Sequence, residues 1–243
     1  MDGNGRFELK YRLSHFQYLK LRNAIYPYMK KDRYTKVAAG NGYLVRSLYY
    51  DTYDYRAYFE KMSGNNQRIK FRLRSYSKTI KENGAVRVEL KVRKANLVEK
   101  YSSFVPVDHY KYFILNRCWP QNNDPVLIEF ERYLHLKDLR PQVITEYCRE
   151  GYESRLNDGL RICFDHKVRS AHAADLFPGH LFFKMHHPHS IVLEIKFKDE
   201  LSPWLKTLVQ NQGLRIIANS KFTQAIQVAR KDLYSPDGIV VVR

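Results

Sequence analysis

The stretch from Gln67 to Tyr76, QRIKFRLRSY, places Arg68, Lys70, Arg72 and Arg74 on every second residue, with Ile69, Phe71 and Leu73 between them. A two-residue period is that of a β-strand, whose side chains alternate between faces. One face of this strand is therefore cationic and the other apolar. The habit recurs along the chain. RFELK aligns Arg6, Glu8 and Lys10, and VRVELKVRK aligns Arg87, Glu89, Lys91 and Arg93 opposite Val86, Val88, Leu90 and Val92. VITEYCR aligns Thr145, Tyr147 and Arg149; LRICFDHKVR aligns Arg161, Cys163, Asp165, Lys167 and Arg169; IVLEIKFKD aligns Glu194, Lys196 and Lys198 opposite Ile195 and Phe197. A seventh stretch, VRSLYYDT, is more apolar.

One such strand is ordinarily half-buried with a solvated charged face. Six sharing the habit, rich in Arg and carrying regularly placed Glu, predict something else. The expected fold is α+β: an antiparallel β-barrel, closed or nearly so, turned inside out around a tunnel with a charged interior. Its apolar faces pack outward against flanking helices, and closure removes exposed sheet edges. The helices expected are Ser14 to about Lys31, with Ser14 and Gln17 as a capping box; Tyr53 to Lys61; and about Pro125, after Asp124, to Asp138. A fourth opens at Ser202-Pro203-Trp204 and stops near Gly213, and the last runs from about Ser220 to Lys231. With no internal repeat or linker, residues 1–243 are expected to form a single domain.

Charge says what the tunnel holds. Lys and Arg number 42 against 25 Asp and Glu, a formal net charge of +17. A compact domain so charged repels itself unless it binds something anionic. Two unit charges 4 Å apart interact by roughly 4 kcal/mol at an effective dielectric near 20, and a chain of phosphates offsets that repulsion. Arg offers a planar fork matched to phosphate, and Lys a compact point charge. The interspersed Glu suits a hard divalent cation that bridges phosphate oxygens. Phosphoryl transfer uses this combination.

The motifs in order are ELKY at Glu8–Tyr11, SLYYDT at Ser47–Thr52, FRLRSY at Phe71–Tyr76 and VELKVR at Val88–Arg93. They continue with YCREGY at Tyr147–Tyr152, LRICFD at Leu160–Asp165, VLEIKF at Val192–Phe197 and SKF at Ser220–Phe222. In this order and spacing the chain resembles the VTC domain, the polyphosphate polymerase module of the vacuolar transporter chaperone complex and its bacterial relatives. That family belongs to the triphosphate tunnel metalloenzymes, related to the CYTH proteins. The resemblance covers nearly the whole chain. It implies transfer of the γ-phosphate of ATP to a growing polyphosphate chain, with Mn²⁺ or Mg²⁺. It also implies that Lys10, Arg72, Arg74, Lys91, Lys100, Arg149, Arg161, Lys196 and Lys221 bind phosphates. Of these, Lys91, Arg149, Arg161, Lys196 and Lys221 are assigned to catalysis. Glu194 is the implied metal ligand, with Glu8 and Glu89 as second-rank candidates that could equally be salt-bridge partners of neighbouring basic residues. Lys100, in VEKYSS, is a weaker match, because Tyr101 and Ser102 follow where the family often has another basic residue. Arg68 and Lys70 are placed at the tunnel mouth.

The rivals are a triphosphate or polyphosphate hydrolase on the same scaffold and a non-catalytic polyphosphate-binding module. Nucleic-acid binding is disfavoured, because the basic residues follow strand period and no RNA or DNA motif occurs. MHHPHS, with His186, His187 and His189, lacks metal-site spacing and is expected to be a surface loop. GNG at 40–42 lacks the features of a nucleotide loop. Three cysteines without a CxxC pair suggest neither zinc nor a disulfide framework. No apolar run approaches the ~18 residues of a membrane span. A soluble chain in the cytoplasm is expected, with attachment through a membrane-anchored partner left open.

Overall fold

The computed structural model describes residues 7–82, 84–94, 97–120 and 123–230. Arg6 and Lys231, expected at the ends of the first strand and last helix, lie outside the described residues. In chain order the elements are β1 (Phe7–Leu13), α1 (His15–Ala24), β2 (Met29–Lys31), α2 (Arg33–Val37), β3 (Tyr43–Asp51), α3 (Arg56–Met62), β4 (Gln67–Ser75), β5 (Ala85–Lys94) and β6 (Leu97–Pro106). They continue with α4 (Val107–Asn116), α5 (Pro125–Leu136), β7 (Arg140–Ser154), β8 (Arg161–His172), β9 (Lys184–Met185), β10 (Ile191–Phe197), α6 (Pro203–Asn211) and α7 (Lys221–Ala229). The strands form one sheet in the order β1-β10-β8-β7-β3-β4-β5-β6, with β2 on β7 and β9 on β8. The expected α+β class and antiparallel pairing are present. The hydrogen-bonded path is open, running from β1 to β6 without a β1–β6 pair among the described residues.

The chain forms two compact units, one of Met1–Leu44, Tyr147–Val168 and His187–Ser220, the other of Val45–Glu146, Arg169–His186 and Lys221–Arg243. In the first, α1 and α6 bury Leu21, Ile25, Leu205 and Val209 against Leu13, Ile162, Phe164, Leu193 and Ile195 of the strands. In the second, Tyr110 and Phe113 of α4 and Leu127, Phe130 and Leu134 of α5 cover Leu48, Phe71, Leu73, Val86, Val88 and Leu90. Each such buried side chain contributes about 1.5–3 kcal/mol. The apolar rows thus lie beneath helices, as the inside-out reading requires. A separate cluster in this unit joins Tyr49 and Val143 to Phe222, Ala225 and Ile226 of α7 and Tyr58 of α3.

The capping box of α1 is formed, Gln17 N donating to Ser14 Oγ at 3.2 Å and Ser14 N to Gln17 Oε1 at 2.9 Å. The helix ends at Ala24 rather than Lys31. Pro27 lacks the N–H that a helix would use, and Met29–Lys31 pair instead with Ser154, Glu153 and Tyr152. Asp124 caps α5 and Pro125 opens it, as expected. The helices α2 and α4 and the strand β6 were not anticipated: α2 depends on a single cap, Asp32 Oδ1 accepting from Thr35 N at 2.8 Å. β6 shows no clean alternation of its own and is ordered by pairing with β5 from Ala85↔Pro106 onward. In β8, Lys167 takes a left-handed φ of 52°, which interrupts the two-residue period. Arg169 therefore leaves the row of Arg161, Cys163 and Asp165 and donates to Glu146, which also accepts from Arg46.

His186, expected on a surface loop, is buried, with Nε2 2.6 Å from Ser170 Oγ and Nδ1 3.2 Å from Gln224 Oε1 of α7. The strand β8 and α7 enclose this end of the loop. Among the described residues no helix is long and apolar enough to cross a membrane. All three cysteines are free.

Candidate functional site

The charged rows are desolvated at their centres: Glu89 and Asp165 are 0% exposed, Glu194 4%, Arg74 8% and Arg149 9%. Charges are that deeply buried only when paired, so each unit can be read through its pairings.

In the first unit, antiparallel register sets Lys10 opposite Glu194 and Glu8 opposite Lys196, and Glu194 opposite Cys163. Lys10 Nζ lies 3.2 Å from Glu8 and 3.7 Å from Glu194, and donates to the Asn219 carbonyl at 2.9 Å. Arg149 is held as a fork by Asp165, Nε and Nη2 donating to its two oxygens at 2.6 and 2.7 Å. Nη2 also donates to Glu194 at 2.8 Å. Lys196 Nζ stands 3.6 Å from Glu194. Burial disfavours the charged forms of Arg149 and Lys196, but the carboxylates outweigh it and raise both above their ordinary pKa, Asp165 acting most strongly on Arg149 and Glu194 on Lys196. Arg161 is opposite Lys196 but half exposed, 3.9 Å from Glu153, and joins none of these contacts.

In the second unit the inner row of β4 holds Arg68, Lys70, Arg72 and Arg74, and that of β5 Arg87, Glu89, Lys91 and Arg93. Lys100 of β6 is directly opposite Lys91. Glu89 is at the centre: Arg72 Nε is 2.5 Å away, Arg74 Nε 3.5 Å, Arg87 Nε 3.6 Å, and the Lys100 ammonium closes on Oε1. Arg72 Nη1 also donates to the Tyr49 hydroxyl at 3.3 Å, Arg74 Nε to Ser47 Oγ at 3.1 Å, and Arg87 Nη2 to Ser102 Oγ at 2.8 Å. Burial works against ionisation of Glu89, but Arg72, Arg74 and Lys100 prevail and hold its carboxyl far below the usual range. The same cluster perturbs its neighbours. The Lys100 ammonium, desolvated beside Glu89, is pushed down to about 7 despite the attraction of that carboxylate. Burial raises the Tyr49 phenol, yet Arg72 and Arg74 bring it below an ordinary tyrosine. Lys221, at the start of α7, is buried in this unit.

Among the described residues no three His, Cys, Asp or Glu side chains gather as a ready-made metal cage. Mg²⁺-type cations need no such cage: one or two carboxylates suffice when waters and substrate phosphates complete the shell. Glu194 and Glu8, which meet across Lys10, supply two carboxylates and fit that donor set, although Arg149 and Lys196 also reach Glu194; Glu89 has three guanidinium groups and an ammonium around it and no second carboxylate among these contacts.

Sequence reasoning gave no role to Asp165, which orients Arg149, nor to Arg87, which joins the Glu89 cluster. Both lie in the aligned rows, so the signal was present. What was missing was the register that pairs them.

A family model described as the VTC domain matches residues 5–230. No curated protein matches the chain. Among solved structures, a provisionally assigned adenylate cyclase of Bacillus halodurans aligns with a TM-score of 0.53 at 13% identity, over 89% of this chain and 95% of that one. A Pyrococcus horikoshii protein aligns with a TM-score of 0.51 at 13% identity, over 91% and 98%. At this identity the two likenesses speak to fold alone.

Proposed function

The chain belongs to the VTC domain family, and on that premise we propose that it is a polyphosphate polymerase that transfers the γ-phosphate of ATP to the end of an inorganic polyphosphate chain, residues 1–243 acting as one triphosphate tunnel domain. The observation that carries the reading is the inner face of the second unit, where Glu89 is the lone carboxylate among Arg68, Lys70, Arg72, Arg74, Arg87, Lys91, Arg93 and Lys100. An excess of cations on one partly buried face is costly unless a polyanion completes it.

In this reading Arg72, Arg74, Lys91 and Lys100 bind phosphate oxygens and spread the charge that develops during transfer. Lys221 contributes from α7. In the first unit Lys10, Arg149 and Lys196 do the same, with Arg161 toward the exposed end of β8. A terminal oxygen of the acceptor chain attacks the γ-phosphorus, and the bond to the β–γ bridging oxygen breaks, releasing ADP. That oxygen is already ionised, so no general base is needed. Glu194, with Glu8, would hold a divalent cation, Mn²⁺ or Mg²⁺, which would supply positive charge to offset that of the phosphates.

Incubating the pure protein with ATP and Mn²⁺ and resolving the products on a gel that separates phosphate chains tests the reading. A ladder of chains is expected. Free phosphate alone would make the protein a hydrolase on the same scaffold. Binding without turnover under any metal would make it a polyphosphate-binding module.

A further inference from the structure

We propose that Glu89 is a positioning residue and not a metal ligand: it gathers Arg72, Arg74, Arg87 and Lys100 into a receptor for a chain of phosphates, and so makes Arg87 a phosphate-binding residue. This rests on the phosphate-binding reading of the second unit's inner face.

The register of this sheet creates a problem that Glu89 solves. Directly opposite neighbours on the inner face carry like charge: Arg68↔Arg93, Lys70↔Lys91, Arg74↔Arg87 and Lys91↔Lys100. Like charges opposite one another across strands are destabilising. Glu89 is opposite Arg72 on one side and Ser102 on the other, in the middle strand of the three, where one carboxylate reaches basic residues on all of them. Its side chain is fully buried.

The way it makes contact is regular. Arg72, Arg74 and Arg87 all approach it through Nε, at 2.5, 3.5 and 3.6 Å. Nε lies at the root of the guanidinium fork. A carboxylate bound there fixes the plane of the group and turns its Nη end away from itself, the end that suits a phosphate oxygen pair. Each arginine has a second pin, on Tyr49, Ser47 and Ser102 respectively. The Arg87 guanidinium also lies 5.1 Å from the Phe104 ring centre. Arg87 Nε is buried without a hydrogen bond and stands 3.6 Å from Glu89, against 2.5 Å for Arg72, so Arg87 is the arm that Glu89 grips least tightly and the one whose turn toward a bound anion disturbs that carboxylate least. A divalent cation at Glu89 would have to enter a shell of three guanidinium groups and an ammonium. Four long basic side chains held in advance spare a ligand the cost of ordering them.

The experiment is calorimetric titration of tripolyphosphate, with and without Mn²⁺, into the wild-type chain and into Glu89→Gln, Glu89→Asp and Arg87→Gln. Metal-free affinity is expected to fall about tenfold in Glu89→Gln and in Arg87→Gln, and less in Glu89→Asp, which keeps the charge but shortens its reach. The ratio of affinities with and without Mn²⁺ is expected to stay at the wild-type value in all three. If Glu89→Gln does not fold, Glu89→Asp and Arg87→Gln carry the test. Equal or tighter metal-free binding in the Glu89 variants would overturn the positioning role, and an altered Mn²⁺ ratio would restore Glu89 as a metal ligand. Unchanged binding in Arg87→Gln would remove Arg87 from the receptor. A wild-type chain that binds no tripolyphosphate would overturn the underlying reading, and this proposal with it. Wild-type binding that the variants leave intact overturns this proposal alone.

Discussion

The first unit sets Glu8, Asp165 and Glu194 against Lys10, Arg149 and Lys196, three carboxylates to three cations. The second sets Glu89 in rows with eight cations, of which Arg72, Arg74, Arg87 and Lys100 contact it. Both clusters come from strands that read alike in sequence, with a charged residue at every second position. The balanced one pairs its own charges, and in the function proposed above Glu194 and Glu8 would hold a divalent cation. In the function proposed above, an anion completes the unbalanced one. Net charge averaged over the chain hides this difference, which lies in how carboxylates are distributed among rows.

The sharpest way to break the comparison is at the balanced cluster. Asp165→Asn leaves the buried Arg149 without half of its fork, and loss of one partner of a buried pair costs about 3–5 kcal/mol. Urea unfolding should show a loss of stability of that order, read as the midpoint shift times the m-value; a loss within error would mean that Arg149 is solvated and the cluster only nominally buried. Glu194→Gln comes next. Turnover should fall about 10²-fold, the scale of losing one transition-state charge contact, while metal-free tripolyphosphate affinity is retained. Full activity would remove Glu194 from the metal site.

The cation-rich face is tested by its response to anions. Tripolyphosphate at 100 times its dissociation constant adds about 2.7 kcal/mol, or roughly 5–10 °C in melting temperature for a chain of this size. Orthophosphate at matched ionic strength should do much less, because it spans too few cations. Equal shifts would reduce the face to ordinary screened charge.

The smallest effect belongs to Lys100, whose pKa of about 7 lies below the ordinary lysine value of 10.5. Between these values the unfolded chain binds more protons than the folded one, so the stability of the empty protein rises with pH across this window. Over the same rise the receptor loses a cation. Tripolyphosphate affinity should therefore fall a few-fold more between about pH 6 and 8 in the wild type than in Lys100→Met, which cancels the titration of the ligand itself. Identical pH slopes would show that Lys100 keeps its charge.

The sequence by itself determined the face segregation of the strands, because the two-residue period follows from backbone geometry and needs no partner. It also determined the starts of α1, α5 and α6, where a cap residue or an opening proline acts locally on the first turn. The candidate set of row cations, from Lys10 through Arg72, Arg74 and Arg149 to Lys196, was legible for the same reason. Tertiary structure alone decided what each charge meets. Cross-strand register is set by the whole hydrogen-bonded ladder, and a shift of two residues would keep every face intact while giving Glu89 different neighbours. β6 acquired its form from the edge of β5, and the left-handed turn at Lys167 sent Arg169 to Glu146. The same alternation of charged and apolar residues thus yielded a neutral cluster in one unit and a cationic one in the other, because pairing energies depend on distances between strands that no single strand encodes.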